Sequence, residues 1–222
     1  MLLPEPASAD AFRAALKHDP HHRQSHIELA GILLRLKQPK EAAEHLEVAL
    51  SRRQNDPELR LKLGQARLQL GEIEQASKEF QMSAELRASA MAYHNLANTL
   101  LGMKKTGEAI KNYELALKTN SRFIPAANNL AWLLSTCPDD SLRNGKRAVE
   151  LAESVCSYAG ARSPSNLETL SVAYAEVARF DKAIETAQEA IRLAKAAGDL
   201  KTAGELRKRL SLFQQEKPYR DE

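Results

Sequence analysis

The chain has 222 residues, of which 27% are charged and 5% are aromatic, and its formal net charge is +3. This length allows one or two compact domains or one extended array. The low aromatic share, with abundant alanine, leucine and charged residues, favours an all-helical chain over a β-sandwich. Basic and acidic residues are interleaved along the chain, which argues against a nucleic-acid-binding protein.

The sequence also argues against a membrane-spanning or secreted protein. No apolar run reaches the ~18 residues that a transmembrane helix needs. The start, MLLPEPASAD, lacks the basic and long apolar parts of a secretory signal. Cys137 and Cys156 have no metal-ligand spacing, so we expect free thiols in a reducing compartment. The expected location is therefore cytoplasmic, and a removed leader or a longer parent chain stays open as an alternative.

The first predicted element is a single helix in residues 1–22. Its apolar residues are in phase with those of residues 46–50 further along the chain. The segment therefore matches the second half of the two-helix units that follow. It is either an N-terminal half-repeat or a capping helix, and a cut from a longer array would give the same pattern.

Five predicted units of two helices follow, and they occupy residues 23–56, 57–90, 90–123, 124–163 and 164–197. In the clearest copy, residues 90–123, the small residues Ala97, Ala109 and Ala116 fall on the inner faces of two helices. Small residues let two antiparallel helices approach closely, and such a hairpin needs neighbours to cover its apolar face.

Local signals define the ends of several predicted elements. Asp56 is a predicted N-cap, with Pro57 at the first position of the next helix. The fourth unit contains an insertion near residues 136–145, where CPDDSLRNG indicates a loop or a short extra turn. Residues 198–216 predict a C-terminal capping helix, and residues 217–222 are expected to be a frayed tail.

The units repeat at a period of 33 or 34 residues. Moved by one period, Leu96-Ala97 becomes Leu63-Gly64 in one direction and Leu130-Ala131 in the other. This pattern, an aromatic residue followed by L-G/A and then A-x3-aromatic, resembles the tetratricopeptide repeat. The resemblance implies an all-α fold: a right-handed α-solenoid of antiparallel helix pairs, with about five repeats and a capping helix at each end.

The resemblance also implies a concave groove lined by the first helix of each unit. Residues at the groove positions of the family's pattern include four asparagines and Trp132, the only tryptophan. Asparagine donates and accepts hydrogen bonds, so it can hold a peptide backbone, and an exposed tryptophan is a favoured anchor. The predicted peptide-binding residues are His94, Asn95, Asn98, Leu101, Asn128, Asn129, Trp132, Lys62 and Gln65.

A second interpretation of the same residues is structural. In it, Trp132 packs under the insertion near residues 136–145, and the asparagines bridge neighbouring helices. The repeat phase places these residues on one face of the array without showing what covers that face.

We expect no catalytic residue, no cofactor and no bound metal, because the sequence has no phosphate-binding loop, zinc-protease or nucleophile-elbow motif. The histidines near the N-terminus, His18, His21, His22 and His26, are more typical of solvated surface groups than of a metal site. The predicted function is an adaptor or assembly scaffold that holds a protein or peptide partner in the concave groove. Two alternatives are a self-associating homo-oligomer and a fragment of a longer enzyme or secretion/assembly protein.

Overall fold

A computed structural model describes residues 5–51, 53–158 and 160–221, with side chains from residue 8 onward. In these residues the chain forms twelve α-helices, one short 3-10 helix and no β-strand, which confirms the predicted all-α class. The α-helices are α1 (Glu5–His18), α2 (Arg23–Arg35), α3 (Pro39–Ser51), α4 (Pro57–Gln69), α5 (Ile73–Leu86), α6 (Ala90–Gly102), α7 (Thr106–Thr119), α8 (Ile124–Thr136), α9 (Gly145–Ser157), α10 (Pro164–Glu176), α11 (Phe180–Ala196) and α12 (Leu200–Phe213). Every one of them is too short or too polar to traverse a lipid bilayer.

The helices belong to two compact units, Met1–Asn120 (unit 1) and Ser121–Glu222 (unit 2). In unit 1, helices α1 to α7 pack in sequence, and the closest pairs are α2 with α3, α4 with α5 and α6 with α7. In unit 2, α8 pairs with α9 and α10 pairs with α11, while α10 also packs against α8, α9 and α12. Each unit is therefore a stack of helix hairpins, which is the arrangement of an α-solenoid.

The helix starts follow from side chains that cap them. The Asp56 carboxylate accepts hydrogen bonds from the first amides of α4, and Pro57 is the first residue of that helix, as predicted. The side chains of Ser89, Ser163 and Asp199 accept equivalent bonds at the starts of α6, α10 and α12. These caps satisfy backbone N–H groups that have no partner within the helix.

The turn between the two helices of a hairpin has the same form in four places. Lys37, Gly71, Lys104 and Ala178 each have φ between 56° and 79°, the left-handed region. In each turn, the amide one residue later bonds to a carbonyl five residues back, as in a Schellman motif. Only one of the four positions is glycine, so the other three hairpins form this turn despite the steric cost to a side chain.

The small residues of the repeat lie where two helices approach closely. Ala97, Ala109 and Ala116 have no exposed surface. At Gly64 of α4, an added Cβ atom would lie 2.6 Å from the ring of the fully buried Phe80 of α5. A larger side chain would overlap the facing helix, so this pairing depends on small residues.

The segment between α8 and α9 contains the 3-10 helix, Asp140–Leu142. Arg143 donates hydrogen bonds to the carbonyl oxygens of Cys137 and Pro138, and it forms an ion pair with Glu176 of α10 at 3.2 Å. These bonds hold the insertion against its own unit, which agrees with the expected loop or short extra turn.

The residues after α12 differ from the expected frayed tail. The Asp221 N–H donates to the carbonyl oxygen of Thr136 at 3.1 Å, so residues near the end of the described chain lie on α8. Tyr219, Arg220 and Asp221 are each partly buried. We call residues Tyr219–Asp221 the YRD segment.

Candidate functional site

The predicted peptide-binding residues are divided between the two units. Unit 1 holds those of α4 and α6, and unit 2 holds those of α8. All of them have partly exposed side chains, as residues on the rim of a helix face do: Lys62, Gln65, His94, Asn95, Asn98, Leu101, Asn128, Asn129 and Trp132. That they form one continuous groove stays a prediction.

In unit 1, Asn98 takes part in a hydrogen-bond network between α6 and α7. The hydroxyl of the fully buried Tyr113 donates to Asn98 Oδ1, and Asn98 Nδ2 donates to His94 Nε2 at 3.1 Å. The rings of His94 and Tyr113 lie 5.7 Å apart. Asn98 therefore joins the two helices of its hairpin and orients His94. The sequence had left a structural role and a binding role for the asparagines open as alternatives.

The pH dependence of stability should report the burial of His94, because burial lowers the pKa of its imidazole. The folded state keeps this ring neutral, while the unfolded chain takes up a proton below the ordinary histidine value of about 6.5. We therefore expect His94 to contribute a loss in unfolding free energy as the pH falls, by up to about 1.4 kcal/mol per pH unit.

Urea unfolding of the wild type and of His94→Gln at about pH 7.5 and about pH 5.5 measures this contribution. Glutamine does not titrate, so the variant should lose less stability on acidification than the wild type. His45, whose pKa is also lowered by burial, is present in both proteins and contributes equally to both. An equal loss in the two proteins would contradict the prediction.

In unit 2, the YRD segment is bound to the last turn of α8 by its acidic residue. Trp132 Nε1–H and the Thr136 hydroxyl each donate to the Asp221 carboxylate at 2.7 Å. Trp132 and Thr136 are four residues apart, so they lie on the same face of α8. With the bond from the Asp221 amide to the Thr136 carbonyl, both the backbone and the side chain of Asp221 are fixed.

The aromatic residue of the YRD segment packs against Trp132 with its ring tilted by 52°. The rings of Tyr219 and Trp132 lie 5.8 Å apart, and the Arg209 guanidinium lies 4.6 Å from the Tyr219 ring and 5.4 Å from the Trp132 ring. Arg209 belongs to α12 and pairs with Glu168 of α10 at 2.6 Å. These contacts to Trp132 come from α12 and the YRD segment, whereas the structural interpretation expected the insertion near residues 136–145.

The basic residue of the YRD segment contacts a third helix. Arg220 forms an ion pair with Glu176 of α10 at 2.6 Å and donates to the Ser135 carbonyl oxygen at 3.3 Å. The side chain of Glu176 is 12% exposed and also pairs with Arg143.

Burial raises the pKa of the nearby Glu168 carboxyl, and the positive charge of Arg209 opposes that shift.

Asn128 presents an oxygen to the same helix face. Its Oδ1 atom is shielded from solvent and has no hydrogen-bond partner in the part of the chain that the structure describes. Asn128 precedes Trp132 by four residues on α8, so the two side chains are neighbours on the helix surface. A shielded carbonyl oxygen without a donor is costly, which makes it a suitable acceptor for an N–H of a bound chain.

The sequence interpretation found only part of this site. Trp132 and Asn128 were among the predicted residues, whereas Thr136, Glu176 and Arg209 were not. Arg209 is within a basic stretch of the last helix, which was the one signal that could have indicated it. The described residues contain no group of three or more histidine, cysteine, aspartate or glutamate side chains that could hold a metal ion.

The hairpin stacks define an α-solenoid protein, and comparisons with known sequences identify its family. Models described as "Tetratricopeptide repeat" match residues 7–60, 33–98 and 90–123, which together run over more than half of the chain. The chain therefore belongs to the tetratricopeptide repeat family. No curated protein matches the sequence.

Solved structures of the same fold support this assignment. YrrB, described as a TPR protein with an unusual peptide-binding site, has a TM-score of 0.69 at 16% identity, over 90% of this chain and 99% of that one. BtubC from P. vanneervenii has a TM-score of 0.66 at 20% identity, over 87% and 89% of the two chains. MamA has a TM-score of 0.60 at 24% identity, over 68% and 90%. At these identities the likeness concerns the fold.

Proposed function

We propose that this protein is a non-catalytic interaction module, an adaptor or assembly scaffold, that binds an extended peptide segment of a partner protein. The proposal depends on one observation: the face of unit 2 made by α8, α10 and α12 holds the YRD segment through a tryptophan and complementary charges. Trp132 contacts its acidic residue, Arg209 its aromatic residue and Glu176 its basic residue.

The properties of this face suit peptide recognition. A buried tryptophan or arginine at the centre of a contact is the usual source of binding energy. Asn128 adds an acceptor that a bound backbone can use, and Glu176 of α10 provides a carboxylate for a basic residue of the bound segment. The similarity in fold to YrrB, whose description includes a peptide-binding site, supports the same kind of activity here.

The proposal extends to the predicted binding residues of unit 1. Lys62 and Gln65 of α4 and Asn95 and Leu101 of α6 are half-buried. They would supply contacts to a longer partner, while Asn98 is engaged with Tyr113.

We also propose a cytoplasmic location, which the two free and buried cysteines support, because reducing compartments maintain thiols.

Selection of peptides from a random phage-displayed library tests the proposed function. The wild-type chain is the bait, and each selected peptide is then measured against Trp132→Ala and Leu200→Ala. Leu200 is an exposed apolar residue of the same unit, 70% exposed, and serves as the matched control. We expect Trp132→Ala to weaken binding by about thirtyfold, the effect of losing an anchor worth about 2 kcal/mol, and Leu200→Ala to change it little.

Peptides that bind Trp132→Ala as tightly as the wild type would contradict the proposed site. A library that yields no binding peptide would contradict the proposed function. Circular dichroism of the Trp132→Ala protein is needed as a control, to establish that a loss of binding does not come from unfolding of unit 2.

A further inference from the structure

All three side chains of the YRD segment have specific partners on unit 2. Asp221 accepts from Trp132 and Thr136, Arg220 pairs with Glu176, and Tyr219 packs against Arg209 and Trp132. The acidic residue meets two donors, the basic residue meets a carboxylate, and the aromatic residue meets a ring and a guanidinium. The face therefore provides a suitable partner for each side chain of the segment: aromatic at position 219, basic at 220 and acidic at 221.

The contacts of the YRD segment are more typical of a bound ligand than of a segment that belongs to the hydrophobic core. A strap that stabilised the fold would bury apolar side chains, whereas Tyr219, Arg220 and Asp221 all stay partly exposed. Their attachments are hydrogen bonds, one ion pair and ring contacts at the rim of a helix face. Groups of this kind exchange readily with water or with an equivalent segment.

The connection between α12 and the YRD segment also favours exchange. Residues 214–217 are exposed. Glu216 has φ of 56°, and the Lys217 N–H donates to the Leu212 carbonyl oxygen, so this turn closes α12 in the same way as the hairpin turns. Release of the segment beyond this turn would therefore disturb no helix.

We propose that the YRD segment is an internal ligand of unit 2, and that the partner presents an extended segment with aromatic, basic and acidic side chains in the same order. The partner segment displaces the internal one from Trp132, Glu176 and Thr136. This inference rests on the proposed function, and it adds the chemistry of the partner and a means of regulating its access.

The physical consequence is a reduced apparent affinity for the partner. A segment tethered by a short linker has an effective concentration in the millimolar range. A partner that binds only the vacated face is weakened by the fraction of molecules in which that face is vacant. For a segment whose free peptide binds with a Kd of about 10–100 μM, the internal copy should weaken binding by about tenfold to a hundredfold.

Fluorescence anisotropy with labelled peptides tests the inference on the full chain. The open variant carries Tyr219→Ala, Arg220→Ala and Asp221→Ala together. The probe is the hexapeptide KPYRDE, the sequence of residues 217–222, labelled at its N-terminus. The matched control is KPYDRE, which has the same composition and net charge with the basic and acidic residues exchanged.

We expect KPYRDE to bind the open variant at least about tenfold more tightly than the wild type, because the internal competitor is gone. KPYDRE should bind the open variant at least about tenfold more weakly than KPYRDE, because each charge then faces a group of the wrong sign or kind. The emission of Trp132, the only tryptophan, should shift to longer wavelength in the open variant and return when KPYRDE binds.

Equal binding of KPYRDE to the wild type and the open variant would overturn the inference, and so would equal binding of the two peptides. If the open variant loses its helical circular dichroism, the single variant Asp221→Asn replaces it, with an increase in KPYRDE affinity still expected. If library peptides bind through Trp132 while KPYRDE does not bind, the proposed function stands and this inference fails. If neither binds, both fail.

Discussion

The variant Ala109→Asp is expected to lose at least about 4 kcal/mol of unfolding free energy, enough to unfold much of unit 1. Ala109 is in α7 and has no exposed surface. It belongs to the hairpin of α6 and α7, one of the closest helix pairs of the unit. An aspartate there adds volume to a packed contact and removes a carboxylate from water without providing a partner.

Urea unfolding followed by circular dichroism measures the effect, with Ala11→Asp as the matched control. Ala11 is an exposed alanine of α1, so the same chemical change should cost well under about 1 kcal/mol there. If Ala109→Asp remains as stable as the control, the close pairing of α6 and α7 is incorrect.

The reason that this hairpin could be predicted is that its signal is local and repeated. Small residues such as Ala97 and Ala109 recur at the same places in successive units, and capping residues such as Asp56 precede proline at a helix start. Each of these features acts within one turn of helix or across one hairpin. Periodicity and capping therefore determine the all-α class, the helix ends and the faces that pack.

The YRD segment could not be predicted in the same way. Asp221 and Trp132 are 89 residues apart in the chain, and the segment has no apolar periodicity. Composition alone indicated a frayed end, because a short polar segment after the last helix has no local reason to be ordered. Its position follows from the complementary groups on α8, α10 and α12, which come together only when unit 2 is folded.

The repeat phase was also insufficient to assign roles within a face. It placed Asn98 and Trp132 at groove positions, but it could not show that Tyr113 donates to Asn98 or that Tyr219 covers Trp132. In both contacts the second side chain comes from a different element: Tyr113 from α7 and Tyr219 from the YRD segment. A position in the repeat limits where a side chain points, and its partners decide what it does.

The second large effect is expected at Glu79, a charged residue in the interior of unit 1. Its side chain in α5 is 6% exposed, and its two carboxylate oxygens lie 2.8 Å from Arg60 and 3.0 Å from Arg67 of α4. Glu79→Gln preserves the shape of the side chain and removes its charge. Two guanidiniums, 14% and 20% exposed, then face each other without the carboxylate that neutralises them.

Removing one partner of a buried ion pair usually costs about 3–5 kcal/mol, because the remaining charge is left uncompensated. Both arginines keep some contact with water, and Arg67 keeps Glu47 at 3.1 Å, so we expect about 2–3 kcal/mol for Glu79→Gln in urea unfolding. Glu47→Gln removes the exposed partner of the same Arg67 and is the matched control, with an expected loss below about 1 kcal/mol. Both glutamates bind Arg67, but Glu79 is buried and also binds Arg60, whereas Glu47 is exposed. Equal losses would therefore mean that α5 does not enclose Glu79 against α4.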